Sequence, residues 1–135
     1  MDARELEQAG FRRWYPLIQN GRVVEDTIEQ IPNREGVYVI RLGKPIPRLK
    51  GESEILYIGA GKIQDRLYAI CARFYGVEYA HTAKDELYRV IQEVAPDCWV
   101  SFTITDNHNQ LEKDLLHRYS KDHIELPPLN RAGGR

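Results

Sequence analysis

Long hydrophobic runs are missing from this chain. No stretch nears the roughly 20 apolar residues that a membrane-spanning helix needs, and the first ten residues set Asp2, Glu5 and Glu7 against Arg4 where a secretory signal would be basic. These absences make the cytoplasm the expected location. Cysteine is scarce too: Cys71 and Cys98 are the only two, too few and too far apart for a disulfide framework or a zinc site, and they read as reduced packing residues. There is no surplus of either charge. The formal net charge is -1, whereas bulk electrostatic attachment to nucleic acid calls for an excess of Lys and Arg. No internal repeat and no low-complexity segment is found.

What is present is ordinary globular material: 135 residues, 42% hydrophobic and 29% charged, enough for one core and too little for two. Residues 1–30 read as an N-terminal extension packed on the domain. It holds a short helix around Glu5 to Gly10, a packing segment with Trp14, Tyr15, Leu17 and Ile18, and a turn at Asn20-Gly21. Residues 31–135 read as the main domain. Gly36 to Leu42 and Glu54 to Ala60 are two expected antiparallel strands joined by a basic, proline-containing loop. Period-two alternation puts Tyr38, Ile40 and Leu42 on one face of the first strand and Ile55 and Tyr57 on one face of the second. The two tyrosines then share a face if the register permits.

Past Gly61 the period changes. Ile63, Leu67, Ile70, Cys71 and Phe74 describe an amphipathic helix running to Gly76, with Arg66 bordering its buried face. Thr82 and Asp85 resemble a capping box for a second helix carrying Leu87, Val90, Ile91 and Val94 up to Pro96. Cys98 to Thr105 alternates as a third strand. Asp106 or Asn107 is positioned to cap a third helix with Leu111, Leu115, Leu116 and Tyr119 as its stripe and Glu112 at the stripe's edge. An extended segment, Leu126 to Asn130, and a flexible Gly133-Gly134 end follow. The expected fold is α+β, a three-stranded antiparallel sheet flanked by helices.

Taken singly, Tyr38 and Tyr57 are ordinary strand aromatics, Arg66 a helix-edge arginine over apolar surface, Glu112 a solvated helix glutamate and Asn130 a turn residue. Their order is more informative. Gly36-Val37-Tyr38, then Tyr57-Ile58-Gly59, Arg66, Glu112 and Asn130 resemble the GIY-YIG nuclease family over about residues 31 to 131. That resemblance implies a single-metal phosphodiesterase acting on DNA, with RNA not excluded. It makes Tyr38 or Tyr57 the group that deprotonates or orients the attacking water and puts Arg66 on the scissile phosphate, with Arg73 as the weaker alternative. Glu112 becomes the ligand of Mg²⁺ or Mn²⁺, Asn130 a brace, and Gly36 and Gly59 points of close backbone packing.

Bottom-up chemistry agrees with those roles: phosphodiester hydrolysis needs an aligned nucleophile, positive charge on the phosphate oxygens and help for the leaving oxygen. A lone carboxylate suits a cation that keeps most of its water. Arg41, Lys44, Arg48, Lys50, Lys62 and Arg73 are the expected nucleic-acid contacts, offsetting locally the near-neutral whole. One departure stands out: where the family often presents His or Tyr one helical turn beyond its arginine, this chain has Ile70. The competing reading is a binding or protein-interaction module on the same fold that does not cut. A homodimer or partner interface through Trp14 and Tyr15 is a further expectation, and His108, His117 and His123 read as solvent-exposed.

Overall fold

Asn20 and Gly21 both adopt positive φ, 51° and 76°, the backbone of a tight two-residue hairpin turn. That turn is the first point at which the fold exceeds the sequence reading. In the computed structural model, which describes residue 1 and residues 3–130, it joins β1 (Tyr15–Gln19) to β2 (Arg22–Val23). The N-terminal segment therefore contributes strands to the sheet itself. The other strands are β3 (Glu35–Pro47), β4 (Glu52–Lys62) and β5 (Cys98–Ile104). All pair antiparallel in the order β2-β1-β5-β3-β4, so the sheet has five strands among the described residues where three were expected. Pro16 is tolerated in β1 because the pairing with β5 shifts register just after it.

Helices α1 (Ala3–Gln8), α2 (Glu25–Gln30), α3 (Ile63–Ile70), α4 (Ala72–Tyr75), α5 (Lys84–Glu93) and α6 (His108–His123) cover the two faces. One core lies between the sheet and α2, α3 and α5, and contains Tyr38, Ile40, Leu42, Tyr57, Ile63, Leu67, Leu87 and Ile91. The other lies under α1 and α6, with Leu6, Phe11, Val37, Val39, Ile55, Ile58, Leu115, Leu116 and Tyr119. Gly133-Gly134 lies outside the described residues.

Several local expectations are corrected. The basic loop is mostly strand: β3 continues through Lys44, Pro45 and Pro47, and only residues 48–51 turn, closed by the Arg48 N–H on the Gly51 carbonyl at 2.9 Å. Ile55 and Tyr57 do not share a face. A bulge shifts the β3–β4 register so that Tyr57 opposes Ile40 while Ile55 opposes Arg41; the extra residue sends the two side chains to different cores. The helix expected to reach Gly76 breaks at Cys71, whose φ of -91° and ψ of 7° end α3 and begin α4. Thr82 does not cap α5. The N-cap is Ala83, and its N–H is taken by His81 Nδ1 at 3.0 Å. His123 is buried, with its ring 4.5 Å from that of Tyr119 and Nδ1 2.9 Å from the Lys50 carbonyl. His108 is half-buried against Glu35 at 3.0 Å, and His117 is exposed as expected.

Candidate active site

The register of β3 and β4 decides whether the tyrosines meet. Tyr38 opposes Gly59 and Ile40 opposes Tyr57, so Tyr38 and Tyr57 are diagonal neighbours on one face, within reach of long side chains. Their ring centroids are 5.9 Å apart. The Tyr38 ring lies across Gly59: a Cβ there would sit 2.5 Å from Tyr38 Cζ and 2.6 Å from Tyr57 Cε2. At Gly36 a Cβ would collide with the Thr103 carbonyl of β5. These two glycines let backbone and rings approach at the rows where the site is built.

Arg66 stands on the second turn of α3. Gly61, at φ +134°, lets β4 bend into that helix, and a Cβ at Gly61 would lie 3.2 Å from Arg66 Cγ. Its guanidinium lies near enough to Tyr38 and Tyr57 to favour the ionised form of both.

His81 arrives from the irregular segment between α4 and α5, and sequence reasoning missed it. Only 7% exposed, it places Nε2 3.2 Å from the Tyr38 hydroxyl, with its ring centroid 5.4 Å from that of Tyr57. Burial, reinforced by Arg66, pushes its pKa down to about 3, so the ring is neutral near pH 7. A neutral imidazole has one N–H. Since Nδ1 accepts from Ala83, the proton sits on Nε2 and is donated to the Tyr38 oxygen. The Tyr38 hydroxyl accepts from His81 and keeps its own proton to offer, and the Tyr57 ring lies beside it with centroids 5.9 Å apart. The chain of donors runs from the Ala83 N–H to His81 and from His81 to Tyr38.

Both phenols are nonetheless held above their ordinary value. For Tyr38 the cause is burial and then Tyr57, against Arg66; for Tyr57 it is burial and then Glu112, against Arg66. Glu112, on the second turn of α6, is half-buried, and that burial raises its pKa against the pull of His108 and Lys113. It makes no ion pair among the described residues. A half-buried carboxylate that raises the pKa of a neighbouring phenol is a place where added positive charge would stabilise both groups. No three His, Cys, Asp or Glu side chains gather as a metal cage among the described residues. A cation at Glu112 would accordingly keep water and substrate oxygens as most of its ligands, which fits a hard divalent ion.

Asn130 closes the outer edge of the sheet. Its Oδ1 accepts from the Ile58 N–H at 3.0 Å and its Nδ2 donates to the Ile58 carbonyl at 2.9 Å, while the Leu129 N–H donates to the Leu56 carbonyl at 3.0 Å. A side-chain amide here does the work of one more strand residue, directly behind Tyr57 and Gly59.

The expected basic contacts do not gather at these groups. Arg41 points to the opposite face, its guanidinium 4.5 Å over Trp14 and 3.4 Å from Glu54. Arg48 pairs with Glu125 at 3.2 Å and donates to the Leu126 carbonyl beyond the C-terminal end of α6, whereas Glu112 lies near its N-terminal end. Arg73 pairs with Asp85 at 3.0 Å and stacks on Tyr88 at 4.7 Å. Lys44, Lys50 and Lys62 are exposed, and Lys62, which ends β4 where α3 begins, is the one of them nearest in sequence to Arg66. Trp14 and Tyr15 are engaged within the chain, Tyr15 stacking on Phe102 with centroids 6.0 Å apart. Beside Arg66 and His81 opens a cleft of about 570 Å³, with Tyr79 and Lys84 among its other walls.

Two tyrosines, an arginine, a neutral histidine and a half-buried glutamate thus act on one another around the β3–β4 pair. Among known proteins the chain is similar to UvrABC system protein C of Synechococcus sp. strain JA-3-3Ab, 30% identical over 118 residues, which cover 85% of this chain and 16% of that protein. It is also 28% identical over 119 residues to the UvrABC system protein C of Synechococcus sp. strain JA-2-3B'a(2-13), covering 85% of this chain and 15% of that protein. The chain spans about one-sixth of the length of these relatives. No family model matches it, and no solved structure matches it significantly. The distant similarity to UvrABC system protein C bears out the resemblance to the GIY-YIG family. No described helix is long and apolar enough to cross a membrane.

Proposed function

We propose that this chain is a cytoplasmic endonuclease that hydrolyses DNA phosphodiester bonds at Tyr38, Tyr57, Arg66, His81 and Glu112 with Mg²⁺ or Mn²⁺. The observation that carries the proposal is the cluster built on Tyr38: neutral His81 donates to its hydroxyl, and the Tyr57 ring lies 5.9 Å from its own across Gly59. Tyr57, the less buried of the two phenols, is assigned to the attacking water: once ionised, a state that Arg66 favours, its phenolate takes the proton of the water and returns to the neutral phenol. Arg66 neutralises the non-bridging oxygens of the scissile phosphate. Glu112 would hold the divalent ion, which would supply positive charge to the phosphate and the leaving oxygen. Asn130 keeps the Tyr57 strand at fixed register.

Loss of a positioned proton acceptor costs on the order of 10²- to 10⁴-fold in rate. Tyr57→Phe is expected to fall in that range on supercoiled plasmid with Mn²⁺, and Tyr38→Phe, which removes the hydroxyl that His81 holds beside Tyr57, to fall less. The reverse order would reject Tyr57 as the acceptor. The ion pairing of Arg41, Arg48 and Arg73 favours a second reading, a module that binds without cutting. Metal-dependent turnover excludes it, and salt-sensitive binding to DNA with no cleavage supports it.

A further inference from the structure

A half-exposed tyrosine stands on the wall of the cleft beside Arg66 and His81 with no protein group stacked on it. Tyr79 is 50% exposed and makes no ring contact, hydrogen bond or ion pair among the described residues. A single exposed aromatic on a surface needs no explanation. This one shares its cleft with the arginine and histidine that contact Tyr38, and with Lys84. Among the described residues Lys84 pairs with Glu78, at 3.8 Å, whose side chain is fully exposed; such a pair yields readily to a phosphate. At about 570 Å³ the cleft falls within the size range of small-ligand sites.

We propose that Tyr79 is a stacking platform for an unpaired nucleobase flanking the scissile phosphate, with Lys84 on the neighbouring phosphate, so that single-stranded or extrahelical positions are cut in preference to uninterrupted duplex. The proposal rests on the endonuclease reading above. A tyrosine ring stacks on any base whose face is free, whatever its identity. In uninterrupted duplex those faces are covered by their neighbours, and only an unpaired or extruded base can enter a pocket. Arg66 on the scissile phosphate and Tyr79 on the adjacent base would form one continuous track along a single strand. The selectivity would then concern strand structure and not base sequence.

The test compares a duplex with the same duplex carrying a three-nucleotide bubble, with 2-aminopurine in the bubble beside the cut position. The wild type is expected to cut the bubble at least tenfold faster. Tyr79→Ala should lower bubble cutting by roughly 5- to 100-fold, the loss that stacking on one base implies, bring the ratio towards one and abolish the binding-induced change in 2-aminopurine fluorescence; Tyr79→Trp should restore all three. Equal cutting of the two substrates by the wild type, or a ratio unmoved by Tyr79→Ala, would overturn the platform while leaving the endonuclease reading intact. If neither substrate is cut, the fluorescence decides: a response lost in Tyr79→Ala retains the platform and rejects catalysis, and a response equal in the two proteins rejects the platform as well.

Discussion

His81 is neutral in the folded protein wherever its pKa of about 3 is exceeded, whereas in the unfolded chain it titrates near 6.5. Between those values the unfolded state binds a proton that the native state refuses, so stability falls as pH drops from about 6.5 towards 3. At pH 4.5 this one group should have cost about 2 to 3 kcal/mol relative to pH 7.5. Urea midpoints of wild type and His81→Gln across that interval check it, and equal pH slopes for the two would contradict it. The neighbouring glycine is as sensitive. Gly59→Ala forces a Cβ to within 2.6 Å of both tyrosine rings, a clash expected to cost about 1 to 3 kcal/mol and to lower activity with it, measurable by thermal unfolding and plasmid nicking. Tyr38, Tyr57 and Gly59 were legible through the ordered motif and its family resemblance, while strand alternation added only that the two tyrosines share a face if the register permits. His81 was not. It reaches Tyr38 from a segment with no periodicity, and its spacing from Arg66 carries no sequence signal.

Individual elements depend on small devices at their margins. The outer edge of β4 is satisfied at Ile58 by the side chain of Asn130 alone. Asn130→Ala leaves a buried N–H and carbonyl without partners and should cost about 2 kcal/mol. Asn130→Asp sets a carboxylate oxygen against the Ile58 carbonyl in a buried place and should cost at least as much as alanine in chemical denaturation; a value at or above wild type for either variant would contradict the bracing role. At the other end of that edge, α6 is terminated by Ile124 at φ 64°, a conformation that suits glycine and strains a β-branched residue. Since Ile124 is 64% exposed, Ile124→Gly should stabilise by about 1 kcal/mol, seen as a higher melting temperature; a lower one would show that the side chain contributes contacts. Elements were legible in the sequence where periodicity is long, as in α6 and β5. They were not where a single residue changes the pattern. One bulge separates Ile55 from Tyr57, and the Asn20-Gly21 turn closes a hairpin that the proline at position 16 disguised.

At the scale of the molecule, the five-stranded sheet separates two tasks. One face carries Tyr38, Tyr57 and the elements that bring Arg66 and His81 to them. The other packs α1 and α6, and the N-terminal end of α6 brings Glu112 to bear on Tyr57. The near-neutral charge of -1 accords with this arrangement: Arg41, Arg48 and Arg73 are engaged in internal ion pairs, and the proposed DNA engagement falls to the cleft. Composition could not reveal that distribution, because pairing partners such as Arg48 and Glu125 lie far apart in the chain. The most direct measurement is conversion of supercoiled plasmid to nicked circle by wild type, Glu112→Ala and Arg66→Ala, with Mg²⁺ or Mn²⁺ and with EDTA. The account predicts nicking by the wild type that EDTA abolishes and that either substitution lowers by at least about 100-fold; nicking that survives both substitutions, or no nicking by the wild type with either metal, would contradict it.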